Sequence, residues 1–261
     1  MKVYCDTHVH CYDFDNFDQL LESAYKNLHH QATKDGTESE ASYMLFFTDG
    51  KTDKTWNNLK NLLKDKHQRI KWSLSFDKQT QLIKASNKQR SVLLAPARQV
   101  ITTERLELLL LGCDLDLIDG IPAAEVIAEN QQYVVICPWG VGKWLGNRGK
   151  ILSALIKQFS DKLFLGDNAS RPNLWRYIPQ FKESNNPIFN GSDPLPISGE
   201  LARIGRFGLK FDYHETELSG SKINLSAILS QLKSSLVKKT NFGKLFPIIP
   251  FIRNQLALKN L

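Results

Sequence analysis

A chain of 261 residues can bury one substantial core, and α/β barrels are commonly built at about this length. Hydrophobic residues make up 42% and charged ones 23%, without a low-complexity run, which excludes disordered and fibrous classes. The net charge of +7 favours anionic partners only weakly, because a solvated basic surface gives the same sum. No apolar run approaches the roughly 20 residues that span a bilayer, and Met1-Lys2 runs into a strand pattern without a signal-peptide core. The expectation is a cytoplasmic protein with no membrane partner, whose four scattered cysteines (Cys5, Cys11, Cys113 and Cys137) stay as thiols.

In chain order, Val3–Cys5 reads as a strand and Phe17–Leu28 as a helix, followed by a strand at Tyr43–Phe47 and a helix at Trp56–Leu63. Extended stretches come at Ile70–Phe76, Ser91–Ala95 and Leu106–Leu111, and residues 70–111 together read as an irregular, hairpin-like insertion. After Pro122 a helix is predicted over Ala123–Asn130. Val134–Cys137, Leu163–Leu165, Pro187–Phe189 and Phe207–Phe211 are predicted strands, with helices over Ile151–Phe159 and Leu174–Phe181 between them. Strands alternating with helices argue for parallel βαβ units.

Polar residues gather directly after strand after strand: Asp6, His8 and His10; Thr48 and Asp49; Arg98 and Gln99; Asp167 and Asn168; Ser192 and Asp193. Strand ends converge on one mouth in a barrel, whereas an open sheet gathers only those near its switch point. The predicted fold is therefore a single, distorted TIM-like β/α barrel of about seven strands over residues 1–240. Residues 241–261 form a C-terminal tail packed on it.

Side chains at i and i+2 of a strand share a face, so His8 and His10 can hold one cation of the Zn, Mn or Fe type. Arg98, Lys143, Arg148 and Arg171, with Arg203 and Arg206, follow strands or start helices, where cations would meet an anionic substrate, most simply a phosphoester. Gln99 and Asn168 stand beside them as further substrate contacts. No RNP-like strand or zinc-finger spacing is visible, so no nucleic-acid partner is expected.

Asp6-Thr7-His8-Val9-His10 resembles the opening motif of metal-dependent hydrolases of the PHP (polymerase and histidinol phosphatase) and amidohydrolase types. Met44-Leu45-Phe46-Phe47-Thr48-Asp49-Gly50, Ile136-Cys137-Pro138-Trp139-Gly140 and Asn190-Gly191-Ser192-Asp193-Pro194 are similar to later motifs, in the same order, across about the first 210 residues. The resemblance implies a metal held by His8, His10 and Asp193, with Cys137, Asp49 or Glu107 as a further ligand and Asp49 or Asp193 as general base, although Glu107 reads more simply as a solvent-facing strand residue. The chain departs from the pattern: Gly50 and Cys137 stand where the family has His, Gln99 where it has Glu, and Leu195 where it has the closing His. A three-metal centre is excluded, leaving one ion and an open position for water. The resulting expectation is a metal-dependent hydrolase of an anionic small molecule. Its alternatives are an amidohydrolase-like C–N or C–C hydrolase, or a depleted barrel that only binds an anion or a protein.

Overall fold

Along β1 (Lys2–Val9) both faces are buried: Val3 and Cys5 join one apolar cluster and Tyr4 another. That double burial is why the strand reads as a continuous apolar run instead of alternating. The computed structural model, which describes residues 1–65, 70–215 and 222–259, repeats this pattern around a barrel.

After β1 come α1 (Phe17–Lys34), β2 (Ala41–Asp49) and α2 (Thr55–Leu62). A hairpin of β3 (Ser73–Asp77) and β4 (Leu82–Asn87) leads into β5 (Arg90–Ile101) and β6 (Glu107–Leu111). Then follow α3 (Ala123–Glu129), β7 (Val134–Pro138), α4 (Gly146–Gln158), β8 (Leu163–Asn168), α5 (Pro179–Glu183) and β9 (Ile188–Gly191). The chain ends with β10 (Gly208–Asp212), α6 (Leu225–Lys233), β11 (Lys239–Phe242) and α7 (Ile248–Leu258).

The wall runs β11-β10-β1-β2-β5-β6-β7-β8-β9, with the β3–β4 hairpin paired to β5. Only β6 and β10 run against their neighbours in this wall. The carboxyl ends of β1, β2, β5, β7, β8 and β9 therefore share one mouth with the amino ends of β6 and β10. Inside the wall, Cys5, Phe46, Ala97, Leu109, Ile136 and Phe164 meet Ile228, Leu229 and Leu232 of α6, which closes the opposite end. Outside, α1 lays Leu20, Leu21, Ala24 and Leu28 on Leu45 and Phe47. Each fully buried Leu or Phe contributes about 1.5–3 kcal/mol of hydrophobic stabilisation.

Between β9 and β1 there is no strand ladder, and the seam is stitched by other hydrogen bonds. Asp193 N donates to His8 O at 2.8 Å, and Thr7 Oγ1 to Asn190 O at 3.0 Å. The fully buried Asp6 carboxylate accepts from the amides of Ser192 (2.8 Å), Gly205 (2.8 Å) and His8 (3.3 Å). Burial pushes the Asp6 carboxyl up to about 6, against the pull of these donors.

The expected α/β barrel is the fold observed, with local differences. Residues 70–111 are not an irregular insertion. β5 is a twelve-residue wall strand joined to β2 in parallel and to β6 antiparallel, and only β3 and β4 extend outward. The predicted helix over Leu174–Phe181 shrinks to α5, because Pro179 starts it and the preceding residues form a loop over the mouth. Of the segment expected as a tail, β11 begins before residue 241 and pairs with β10, while Asn254 of α7 donates to Glu200 at 2.9 Å. Among the described residues no helix is long and apolar enough to cross a membrane.

Removing the Asp6 carboxylate strands buried amide donors, each costing about 1–3 kcal/mol. Asp6→Ala is expected to lose about 3–5 kcal/mol of stability in urea unfolding at unchanged m-value, and Asp6→Asn less. An unaltered midpoint would remove Asp6 from barrel closure.

Candidate metal centre

The barrel seam places the centre. Gly191 at the end of β9 lies so close to β1 that a Cβ there would stand 2.5 Å from His8 Cβ and 2.7 Å from His8 N. Two residues on, Asp193 adopts a left-handed backbone (φ 43°), which Asp tolerates better than most side chains. That turn aims its carboxylate at the two histidines. A register irregularity in β1 between Asp6 and Val9 accompanies the inward turn of His8 and His10.

His8 Nε2 and His10 Nε2 lie 3.0 Å apart, and Asp193 Oδ1 is 3.6 Å from the first and 3.8 Å from the second. Among the described residues these three form the one group of His, Cys, Asp and Glu able to hold a metal ion. Metal–ligand bonds of ~2.0–2.1 Å at tetrahedral angles put ligand atoms ~3.3 Å apart, so the triangle fits a single ion. The two Nε2 atoms stand at hydrogen-bond distance from each other, one donating and the other accepting according to tautomer. A cation bound there would take the place of that proton.

Each ligand has a supporting contact. Gln99 hydrogen-bonds His8. Asn168 donates to Asp193 Oδ2 at 3.0 Å and to Trp139 O at 2.7 Å, and its own oxygen accepts from Ser170 N. The buried His10 Nδ1 lies 3.4 Å from Asp53 Oδ2 without the alignment of a hydrogen bond. Tyr12 stacks on the His10 ring at 5.3 Å and faces the mouth.

Burial pushes His8 down to about 4, which keeps it a neutral donor. Burial acts the same way on His10, but Asp53 and Asp193 outweigh it and its pKa is raised. Asp193 is half-buried, which opposes its ionisation, but the charges facing it from His8, His10, Lys143 and Arg203 hold it below the ordinary carboxylate range.

The remaining sequence candidates are not all at this centre. Cys137 turns outward from β7 into the helix layer with Val135 and Leu165, where burial pushes its thiol up to about 12, so it is no ligand here. Asp49 spends both carboxylate oxygens on the amides of Thr55 (3.1 Å) and Trp56 (2.9 Å), capping α2 instead of acting as a base. Arg98 is bound to the carbonyls of Gly50 and Leu117 and to Asp116. Arg171 is held by both oxygens of Asp167, and Arg148 donates to Gly142 O. Arg203 forks onto Glu200, and Arg206 binds Asn27. The expected ring of free arginines is thus largely committed: the buried Arg98 and Arg171 and the partly buried Arg148 and Arg203 have taken carboxylate or carbonyl partners of their own, and Arg206 is exposed.

Two residues at the mouth, Tyr12 and Asp53, escaped the sequence reading, and Glu107 was placed on the wrong face. Glu107 was expected to face solvent, yet it shares the inward face of β6 with Leu109 and Leu111 and pairs with Lys143 at 2.5 Å. Its i, i+2 parity with those leucines was the available signal. A cavity of about 680 Å³ between α2, the β3–β4 hairpin and α6 shares no residue with this centre.

No protein-family model and no curated protein matches the chain. Solved structures do. PsfC from Pseudomonas syringae PB-5123 aligns at TM-score 0.60 and 14% identity, over 100% of this chain and 98% of that one. The lesion-specific endonuclease PfuEndoQ from Pyrococcus furiosus aligns at TM-score 0.53 and 15% identity, over 93% of this chain but only 59% of its own. Endonuclease Q in complex with a 27-mer duplex bearing an abasic lesion aligns at 0.49 and 14% identity, over 89% and 57%. The shared feature is the fold. These neighbours overturn the expected exclusion of nucleic acid, because an endonuclease is built on this barrel.

Gly191→Ala is expected to force β9 away from His8, costing about 1–3 kcal/mol of stability. Asn168→Ala, which leaves Trp139 O and Ser170 N without their partner, should cost about 1–3 kcal/mol of stability and weaken metal binding about 10–100-fold, as loss of a ligand-orienting contact does. Equal metal affinity in Asn168→Ala and wild type, by titration calorimetry, would remove Asn168 from the centre.

Proposed function

We propose that the chain is a hydrolase of phosphoesters using a single divalent ion, a divergent relative of the PHP and amidohydrolase barrels. The observation that carries this reading is the convergence of His8 Nε2, His10 Nε2 and Asp193 Oδ1 on one metal-sized triangle at the barrel mouth. A divalent ion of the Zn, Mn or Fe type bound there would supply Lewis acidity and a water whose pKa falls towards ~7. Three protein ligands leave the fourth position open, as catalytic sites require.

The chain's own residues prepare that site. Gln99 and Asn168 orient His8 and Asp193, and Asp53 stands behind His10 as an electrostatic partner, which is the preorganisation a reaction centre needs. Asp193 serves as a ligand, which makes it a poor proton acceptor, so the two roles expected of it separate. Phosphodiesters of nucleic acid fall within the proposed substrate class, as the endonuclease fold neighbour suggests.

The amidohydrolase-like alternative needs another ligand histidine. His29 is bound to Tyr43 beside α1, His30 is exposed on α1, and His214 lies against Gln231 of α6. His67 lies outside the described residues. The depleted-barrel alternative draws support from Gly50, Leu195 and the outward Cys137, and the measurement below separates it.

Protein reconstituted with Zn or Mn and then dialysed is expected to retain one ion per chain by elemental analysis, and His8→Ala or Asp193→Ala none. Free ion at 100 times Kd should add about 2.7 kcal/mol to unfolding stability in the wild type only. A wild type that retains no ion is a depleted barrel, and the hydrolase reading falls.

A further inference from the structure

With the arginines committed elsewhere, one ammonium reaches the centre, and the loop after β7 is shaped to deliver it. Trp139 N donates to Gly166 O at 2.8 Å, anchoring the loop to β8. Lys143 N donates to Gly140 O at 3.0 Å, Gly142 takes a left-handed turn (φ 72°), and Arg148 clamps the Gly142 carbonyl. The lysine stem then folds back across Gly140, where a Cβ would stand 2.4 Å from Lys143 Cδ and 2.8 Å from Cε. At its end, Lys143 Nζ meets Glu107 Oε1 at 2.5 Å. The charge of Lys143 is felt at His8 and Asp193, and that of Glu107 at His10 and Tyr12, so the pair stands beside the candidate metal.

We propose that Lys143 and Glu107 form a charge-balanced subsite that admits a monoanionic phosphodiester beside the metal and turns away a dianionic phosphomonoester. This rests on the single-metal reading above and names the substrate class of the same site. Two neutral imidazoles and one aspartate leave a divalent ion with a net charge of +1. Lys143 alone would raise the mouth to +2, the complement of a phosphomonoester, which carries about −1.5 to −2 at neutral pH. Glu107 takes that charge back and returns the mouth to +1, while Asp53 stands at Nδ1 of His10, on the side of the ring away from the metal position. Arg98, Arg171 and Arg203 add little to it, because the charge of each is offset by the carboxylate it faces.

A single negative charge is what such a mouth can neutralise. The ammonium has three donors, so it can keep Glu107 and still hold one non-bridging oxygen of a diester. The shallow, open placement also suits a diester, whose two arms must both leave the site. Lys143 is partly exposed (38% of its side chain), while Glu107 is mostly covered (17%).

The test uses the Zn-loaded full chain, with dimethyl phosphate as the monoanion and methyl phosphate as the dianion, at a pH about two units above the second phosphate pKa of ~6. Titration calorimetry gives both affinities, and elemental analysis gives the Zn content of each variant. Wild type is expected to bind dimethyl phosphate more tightly. Glu107→Gln should shift the ratio towards methyl phosphate by about tenfold or more, and Lys143→Met should weaken dimethyl phosphate by about tenfold, both with one Zn per chain. A ratio unchanged in Glu107→Gln, or binding unchanged in Lys143→Met, with Zn retained, overturns the subsite alone. Wild type without Zn overturns the metal reading and the subsite with it. A variant that loses Zn while wild type keeps it makes the pair part of metal retention and refutes its role in selecting charge.

Discussion

Everything at the mouth depends on how β9 is joined to β1 without a ladder. Asp193 N on His8 O, Thr7 on Asn190 O, and Asp6 on the amides of Ser192 and Gly205 make that joint. A sheet that stopped at β9 would leave His8 and His10 on an open edge, with Asp193 on a distant loop. Closing the seam brings the first strand and the closing Gly-Ser-Asp turn into contact, and the candidate ligand set is the product of that closure. The cost is borne by Asp6, a carboxylate buried completely and kept by its amide donors. Gly191 is part of the same arrangement, since any side chain there would occupy the space of His8.

A second consequence follows from burying so many charges around one opening. A guanidinium in a low-dielectric wall needs partners, and the partners available were the neighbouring carboxylates and loop carbonyls. Asp167 therefore holds Arg171, Glu200 holds Arg203, and Asp116 with the Gly50 and Leu117 carbonyls holds Arg98. These ties rigidify the mouth loops. Arg203 also lies 3.8 Å over Phe246, which fixes the chain leading into α7. Cations that look available in the sequence are thereby spent on architecture, and rigidity at the mouth is gained at the expense of free positive charge.

Much of the fold was legible because both faces of the wall strands are apolar. Val3–Cys5, Tyr43–Phe47 and Val134–Cys137 stand out as short buried runs, and their order around helices implies a barrel. The His-x-His parity and the Gly-Ser-Asp turn marked the three residues that the structure brings together. Strand β4 was missed because Leu82-Ile83-Lys84-Ala85-Ser86-Asn87 is half polar, its outer face lying on a hairpin beyond the wall. Glu107 and Cys137 were misread for one reason: which parity of a strand faces inward is decided by its neighbours, not by the residue itself. Arg171 with Asp167 and Arg203 with Glu200 sit at i, i+4 and i, i+3, so those pairs were readable. Arg98 was not, because its carbonyl partners come from two separate loops.

The departures from the PHP pattern gain a physical meaning in this light. Gly50, Gln99 and Leu195 each remove a ligand, and no other His, Cys, Asp or Glu among the described residues joins the remaining group of three. A site that simply decayed would leave buried ligands pointing at nothing. Here instead Gln99 supports His8, Gly50 offers its carbonyl to Arg98 and its amide to Asp53, and Asp53 stands behind His10. The positions that lost ligands have become supports for the ligands that stay. A lysine and a glutamate, both from outside the four family-like motifs, fill the mouth beside them. Of the three departures only Gln99 stands where the resembled pattern has an acidic ligand, Gly50 and Leu195 standing where it has neutral His, and Lys143 answers the charge that Glu107 adds.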